Sequence, residues 1–263
     1  MTPTERAGPP GRPPLPGVLR SVLAVEVRLF LREPLNLVLG VALPTLIMLG
    51  LAAIPVMREP SPDLGGARFI DLWAPTALIL GLCLVGVQHL PVVIASYREK
   101  GVLRRLSTTP VHPGVLLTAQ MIIVLVAMAL SSLVLLGSSW LFLDIDLPQR
   151  PLLFVVALAV GSVSMVALGM LVAALAPSGP VANTVSMLLY VGVMLVGGVF
   201  VPRVYLPEAL VRSGEFTPPG VQLLLDAWTG QAESASPHAV QLAVMAGITV
   251  VAAAVAARLF RWE

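Results

Sequence analysis

The chain has 263 residues, of which 57% are hydrophobic and only 11% are charged. Soluble domains carry about 25% charged residues, so this composition, with a mean hydropathy of +0.92, excludes a soluble domain and indicates an integral membrane protein. The net charge of +2 gives no reason to expect nucleic-acid binding, and a single cysteine, Cys83, excludes an intrachain disulfide.

The N-terminal region divides into a tail and a helix. Residues 1–17 contain six prolines and three glycines, which predicts a disordered cytoplasmic tail. The region has no apolar stretch followed by a cleavage site, so a signal peptide is not expected. Residues 18–33 alternate apolar and charged residues at helical spacing, which favours an amphipathic helix in the membrane interface over an irregular lead-in to the first span. Its charged side chains, expected roughly opposite the apolar ones, are Arg20, Glu26, Arg28 and Arg32.

Residues 34–263 are predicted to form an all-α domain of six membrane spans. Each of six apolar segments approaches or exceeds the ~20 residues needed to cross a bilayer core, and none contains Asp, Glu, Lys or Arg. Pro44 and Pro91 are expected to kink their spans. The predicted spans are Leu35–Pro55, Leu72–Ser96, Val115–Leu143, Leu152–Ala176, Val181–Val201 and His238–Ala257.

The distribution of cations predicts the orientation of these spans. Eleven of the sixteen Lys and Arg residues lie in segments on the same side as the N-terminus. Cytoplasmic loops carry the excess of such residues, so both termini are expected in the cytoplasm and the protein in the cell (inner) membrane. The five cations expected on the outer side are Arg58, Arg68, Arg150, Arg203 and Arg212.

The segment between the second and third spans, residues 97–113, carries a dense cluster of charge. An Arg or Lys at the centre of a bilayer costs about 2.5–3.5 kcal/mol, so its four cations keep this segment in water. In a helix, Val102, Leu103 and Leu106 share one face and the arginines project elsewhere. Charge alone leaves two interpretations open, a solvated loop that sets topology and a helix that docks on a cytoplasmic partner.

The residue order in this segment, Tyr-Arg-Glu-Lys-Gly-Val-Leu-Arg-Arg-Leu and then Thr-Thr-Pro, resembles the cytoplasmic loop of ABC-2 type exporter permeases. In that family a Glu-Arg/Lys-Gly-Thr-Leu run leads to a Thr-Pro, and only Val102 departs from the pattern. The resemblance implies that residues 97–113 are a loop coupled to an ATPase. The residues expected to carry the coupling are Tyr97, Arg98, Glu99, Lys100, Gly101, Leu103, Arg104, Arg105, Leu106, Thr109 and Pro110.

The resemblance also implies the assembly: two six-span units around a central path, like a type V ABC exporter, with two ATPase subunits beneath. This chain is then half of the membrane part, most simply in a homodimer. It has no GxxxxGK[ST] phosphate-binding motif, and its only lysine is Lys100. ATP and Mg are therefore expected on the separate ATPase, with no cofactor and no catalytic residue on this chain.

The cargo is expected to be hydrophobic or amphipathic, because the spans lack charge. Family members of this length are often drug or antibiotic exporters, which favours multidrug efflux. A permease for lipid-linked polysaccharides, or a membrane anchor that transports nothing and recruits a cytoplasmic partner, are the alternatives. The lack of Asp, Glu, Lys and Arg within the spans argues against an ion-coupled transporter.

The outer segment 202–237 is predicted to contain two short helices, Pro207–Phe216 and Pro218–Trp228, each opened by a proline in its first turn. The second is too apolar to lie in water and too short to span, so it is expected to dip into the outer leaflet or to cap a cavity. The resemblance implies that both are re-entrant helices.

Four residues within the spans are candidates for a transport path. Gln88 and His89 are polar residues in an apolar run, so they either face the path or serve as packing residues with hydrogen bonds to a neighbouring helix. Met48 and Met194 either line an adaptable cavity or pack in the interior. No metal site is expected, because the three histidines, His89, His112 and His238, are scattered.

Overall fold

The computed structural model describes residues 15–32, 38–62, 66–107, 114–197, 199–200, 206–230 and 236–260. Every regular element within these ranges is a helix, apart from one isolated backbone bridge between Pro60 and Arg68. The predicted all-α fold is therefore confirmed. Most of the predicted tail, residues 1–14, lies outside the described residues.

The described chain contains eleven α-helices. They are α1 Leu15–Arg32, α2 Leu43–Ala52, α3 Phe69–Cys83, α4 Leu90–Glu99, α5 Val102–Ser107, α6 Gly114–Leu143, α7 Pro151–Leu175, α8 Gly179–Val196, α9 Glu208–Gly214, α10 Val221–Thr229 and α11 His238–Leu259. Two π-helical turns, Val38–Ala42 and Leu84–His89, lead directly into α2 and α4, and a short 3₁₀ turn, Pro55–Met57, follows α2.

Five of the helical segments are long and apolar enough to cross a membrane. They are Phe69–Glu99, Gly114–Leu143, Pro151–Leu175, Gly179–Val196 and His238–Leu259, and they coincide with the second to sixth predicted spans. The predicted first span is represented by a shorter apolar helix, Gly40–Ala52, and residues 33–37 lie outside the described part. The chain is thus a multi-pass membrane protein, and the count of six spans stays a prediction.

Proline placement explains the two π-helical turns. Pro44 and Pro91 each lie at the second position of an α-helix that follows such a turn. Proline lacks an N–H and its ring clashes with the carbonyl four residues earlier, so a wider turn accommodates it. The two turns pack against each other, and Ser131 Oγ donates to the Val41 carbonyl at 3.1 Å, which satisfies a polar group inside the bundle.

The second predicted span lies at the centre of the bundle. In an 18-residue apolar stretch of this span, 67% is buried inside the protein, compared with 22% for the corresponding stretch of α11. It meets α7 at backbone contact: a Cβ added to Gly169 would overlap the carbonyl oxygen of Gly86, and one added to Gly86 would lie 2.6 Å from Cβ of Met165. The absence of side chains at these two positions lets the helices approach this closely.

The two outer helices differ in detail from their predictions. Pro207 precedes α9 as its N-cap, and α10 begins only after Gly220, whose φ of 80° lies in the left-handed region. The prediction that Pro218 opens the second helix was wrong, because a left-handed residue ends any continuous right-handed helix at that point. Residues 202–205 and 231–235 of the predicted re-entrant region lie outside the described part.

Helix α10 is buried against α7 and α3. Its buried carboxylate, Asp226, accepts from Gln222 Nε2 at 2.6 Å and lies 3.1 Å from Nε2 of His238 at the start of α11. Buried charges require such partners. The histidine that looked isolated in the sequence therefore joins the outer helix to the last span.

Arg68 joins the first outer loop to the end of α6. Its guanidinium makes an ion pair with Asp71 at 2.7 Å and donates to the carbonyls of Leu143 and Asp144 at 3.1 and 2.9 Å. A cation at the C-terminus of a helix interacts favourably with its unpaired carbonyls. The contact holds the start of α3 against the last turn of α6.

Candidate functional site

The turn between α4 and α5 depends on Gly101. Its φ of +67° lies in the left-handed region. Its N–H donates to the Arg98 carbonyl at 2.9 Å, and its own carbonyl accepts the N–H of Arg105 at 3.0 Å, the first turn of α5. A Cβ at this position would meet no atom within 4 Å, so the glycine is required by backbone conformation and not by space.

We therefore expect Gly101→Ala to destabilise this turn by about 1–2 kcal/mol, and Gly101→Asn to cost less, because Asn tolerates the left-handed region. Thermal unfolding in detergent and co-purification with an ATPase would measure the effect. Gly137→Ala is the matched control, because Gly137 lies within α6 with open space around it. Equal results for the two alanine variants would contradict the argument.

Helix α5 is amphipathic as its sequence predicts. Leu103 is fully buried, and Val102 and Leu106 pack half-buried against the core, whereas Arg104 and Arg105 are exposed. The apolar face thus anchors α5 to the bundle and presents two cations at the surface. Thr109 and Pro110, also assigned to coupling, lie outside the described residues.

Glu99 connects the end of α4 to the start of α8. Its Oε2 accepts the backbone N–H of Gly179, the first residue of α8, at 3.2 Å. The first N–H groups of a helix have no partner within it, and a negative charge there is favourable. Glu99, the last residue of α4, is therefore attached to the start of α8, 80 positions later in the chain.

Helix α1 packs along α6 and buries one face. Val22 and Phe30 on this face are half-buried, and Glu26 between them is only 8% exposed. Residues four apart share a helix face, so Glu26 lies with the apolar residues. Grouping Glu26 with the exposed arginines was wrong; Arg20, Arg28 and Arg32 are exposed as expected.

Glu26 is the centre of a polar cluster that joins three helices. Tyr97 Oη of α4 donates to Glu26 Oε2 at 2.8 Å, and Gln120 Nε2 of α6 donates to the same oxygen at 2.5 Å. Within the described part of the chain, no hydrogen bond reaches the other oxygen, Oε1. Burial raises the pKa of Glu26, and the two hydrogen bonds oppose this effect only in part.

A cavity of about 720 Å³ lies beside this cluster. It extends from Glu26 to the π-helical turn of the second predicted span. Its polar walls come from Glu26, Tyr97, Gln120, Gln88, His89, Ser96, Lys100 and Asn183. Its apolar walls come from Leu29, Phe30, Leu84, Val92 and Val93, and Gly40 completes the lining.

The structure separates the four predicted path residues. Gln88 and His89 line the cavity; Gln88 Nε2 donates to Met187 Sδ at 3.1 Å, and the His89 ring lies edge-on to Phe30 with centroids 5.8 Å apart. Both interpretations of this pair, path lining and interhelical packing, agree with these contacts. Met48 and Met194 are fully buried in the packed core, away from the cavity lining.

Gln120 and Asn183 line the cavity but were not predicted as path residues. Gln120 was detectable in principle, since it is an isolated polar residue in the third span, and such residues face the bundle interior. Its partner was not detectable, because Glu26 lies 94 positions earlier in the chain. In the part of the chain that the structure describes, no group of His, Cys, Asp and Glu is placed to hold a metal ion.

Comparison with protein families gives one match. Residues 18–218, more than half of the chain, match the family described as "ABC-2 type transporter". The match begins within α1 and includes the Glu26 cluster, the 97–113 loop and the cavity. No curated protein matches the chain.

Proposed function

The chain belongs to the ABC-2 type transporter family and is a membrane permease of that family, and from this premise we propose that it exports hydrophobic or amphipathic compounds. Drug or antibiotic efflux is the proposed role, from the cytoplasm or the inner leaflet, powered by a separate ATPase. The permease is proposed to work as a homodimer of type V exporter form, with two ATPase subunits that hold ATP and Mg. The charge distribution supports a cytoplasmic location for both termini.

The attachment of the 97–113 loop to two spans carries this proposal. Leu103 anchors α5 in the core, the Gly101 turn joins it to α4, and Glu99 holds the start of α8. A force on α5 would therefore move the second and fifth predicted spans together. Arg104 and Arg105 are exposed on the other face of α5, where they can meet acidic residues of an ATPase.

The proposed mechanism is mechanical coupling. The 97–113 loop seats in a groove of the ATPase, and α1 supports it from the membrane interface. Closure of the two ATPases on nucleotide then moves these elements and shifts the permease between inward-facing and outward-facing states. A full shift of such an equilibrium needs about 5.5 kcal/mol of differential binding, which a few well-made contacts supply.

The nature of the cavity supports an amphipathic cargo over a sugar. Its described lining combines polar side chains with four aliphatic ones, and three of its residues, Phe30, Tyr97 and His89, carry aromatic rings, whereas sugar paths are lined by aromatic rings throughout. Export of a lipid-linked polysaccharide, and a membrane anchor that transports nothing, are the outcomes that the experiment must distinguish from drug efflux.

Reconstitution with the cognate ATPase tests the proposal. Proteoliposomes should show dye export and dye-stimulated ATP hydrolysis, and the double variant Arg104→Glu, Arg105→Glu should lower ATPase co-purification about tenfold, because two favourable charge contacts become repulsive. Arg258→Glu is the matched control, as Arg258 is exposed at the end of α11 on the same predicted side.

Three results would contradict the proposal in different ways. ATPase binding without dye movement would identify an anchor. Stimulation by a lipid-linked sugar and not by dyes would identify polysaccharide export. Equal ATPase binding by the double variant and the control would remove α5 from the interface.

A further inference from the structure

We propose that the cavity beside Glu26 binds the organic cation headgroup of an amphiphile, with Glu26 as its counter-ion. The inference rests on the proposed export function and deepens it by naming the chemical class of the cargo. It depends on three features of the cavity: a buried carboxylate with one oxygen unused, an apolar wall and a position next to the 97–113 loop.

The carboxylate of Glu26 is only half satisfied. Tyr97 and Gln120 both donate to Oε2, and no described residue donates to Oε1, although the side chain is more than nine-tenths buried. Oε1 is not one of the described side-chain atoms that are fully enclosed without a partner, so it keeps access to solvent and can receive a ligand. An ionised carboxylate is stabilised by a cation placed beside it, and Glu26 lines the cavity.

The remaining walls suit the rest of an amphiphile. Leu29, Leu84, Val92 and Val93 form an apolar surface, and Phe30 and Tyr97 add aromatic rings close to Glu26. Aromatic faces attract organic cations. The volume of about 720 Å³ lies within the range of pockets that hold small organic ligands, roughly 300–1,000 Å³.

His89 and Lys100 also line the cavity, and Lys100 distinguishes two kinds of ligand, a purely cationic compound and a zwitterionic lipid. His89 lies against Phe30, and Lys100 lies at the end of α4, where its side chain is exposed. A ligand that carries only a cation gains nothing from Lys100. A zwitterionic lipid would place its ammonium on Glu26 and its phosphate on Lys100. Both kinds of ligand would place an organic cation beside the Glu26 carboxylate.

Binding of two ions of nearly equal size and opposite charge provides the test. The purified full-length protein in uncharged detergent is titrated with tetraphenylphosphonium, a cation, and with tetraphenylborate, an anion, against empty micelles. We expect saturable binding of the cation only, and a loss of about tenfold or more in Glu26→Gln, as for removal of a buried charge partner. Glu208→Gln, in an exposed ion pair on α9, should bind like the unaltered protein.

Two outcomes would overturn the site: binding of the cation by Glu26→Gln at unaltered affinity, or no binding by the unaltered protein. If Glu26→Gln fails to fold, Val93→Trp replaces it, because it fills the apolar part of the cavity and leaves the carboxylate in place. This variant should also lose the cation, and unaltered binding would overturn the proposal equally.

Competition between tetraphenylphosphonium and a lipid distinguishes the two kinds of natural ligand. If the natural occupant is a zwitterionic lipid, short-chain phosphatidylethanolamine displaces tetraphenylphosphonium and Lys100→Gln weakens the displacement. If it is a cationic compound, the lipid does not compete and Lys100→Gln leaves cation binding equal or tighter. Either result supports the site at Glu26.

The binding assay contains neither ATPase nor nucleotide, so it separates this inference from the proposed function. Cation binding that depends on Glu26, in a protein that moves no dye with its ATPase, would retain the site and reject the export function. Dye export with cation binding independent of Glu26 would retain the function and reject the site.

Discussion

Gly169→Val should prevent the membrane domain from folding correctly. A Cβ at this position would overlap the backbone carbonyl oxygen of Gly86, with Leu90 also in contact. Overpacking a core costs about 1–3 kcal/mol and sometimes more, and the high end is expected here because the obstacle is backbone in the most enclosed span. Gly169→Ala should show a smaller effect in the same direction.

Gly137→Val provides the control for this experiment. Gly137 lies in α6 with nothing within 4 Å of an added Cβ, so the same enlargement should be tolerated. Monodispersity on size exclusion and the unfolding temperature in detergent measure both variants. A monodisperse Gly169→Val protein with an unchanged unfolding temperature would show that α7 and the second span do not meet in this way.

Glu99→Ala should lower transport and cargo-stimulated ATP hydrolysis about tenfold while membrane insertion and folding remain intact. The variant loses a charge-assisted hydrogen bond to the N-terminus of α8, and hydrogen bonds to charged groups contribute about 1.5–3 kcal/mol. Because Glu99 is exposed, the lower part of that range applies. Glu99→Gln keeps an acceptor oxygen without the charge and should give an intermediate rate.

Glu208→Ala is the control for the coupling experiment, since Glu208 is also an exposed glutamate and its partner Arg212 lies on the same short helix, α9. Its transport rate should equal that of the unaltered protein. Undiminished efflux by Glu99→Ala, measured beside this control, would count against the assignment of residues 97–113 to coupling.

The helical segments were predictable because they depend on local composition. The second to sixth predicted spans agree with the structure to within a few residues except at the end of α8, which stops at Val196 although apolar residues continue. The amphipathic face of α5 was also predictable, since residues three and four apart share a helix face. The 97–113 pattern identified the family that the comparison then showed.

The polar contacts between distant segments were not predictable. Glu26 was assigned to the charged side of α1, and its burial became visible only when Tyr97 and Gln120 were placed beside it. The bond from Glu99 to Gly179 has no sequence signal either, because capping is usually recognised between near neighbours.

The sequence by itself determined that this is a membrane protein of long apolar helices with a basic loop between two of them, and it identified the family. Hydropathy and charge act residue by residue, so they can be read without knowing which helices touch. Only the tertiary structure decided which helices cross at Gly86 and Gly169, which carboxylate is buried and where a cavity remains. These features depend on side chains far apart in the chain meeting in one place, and packing between helices, not local preference, brings them together.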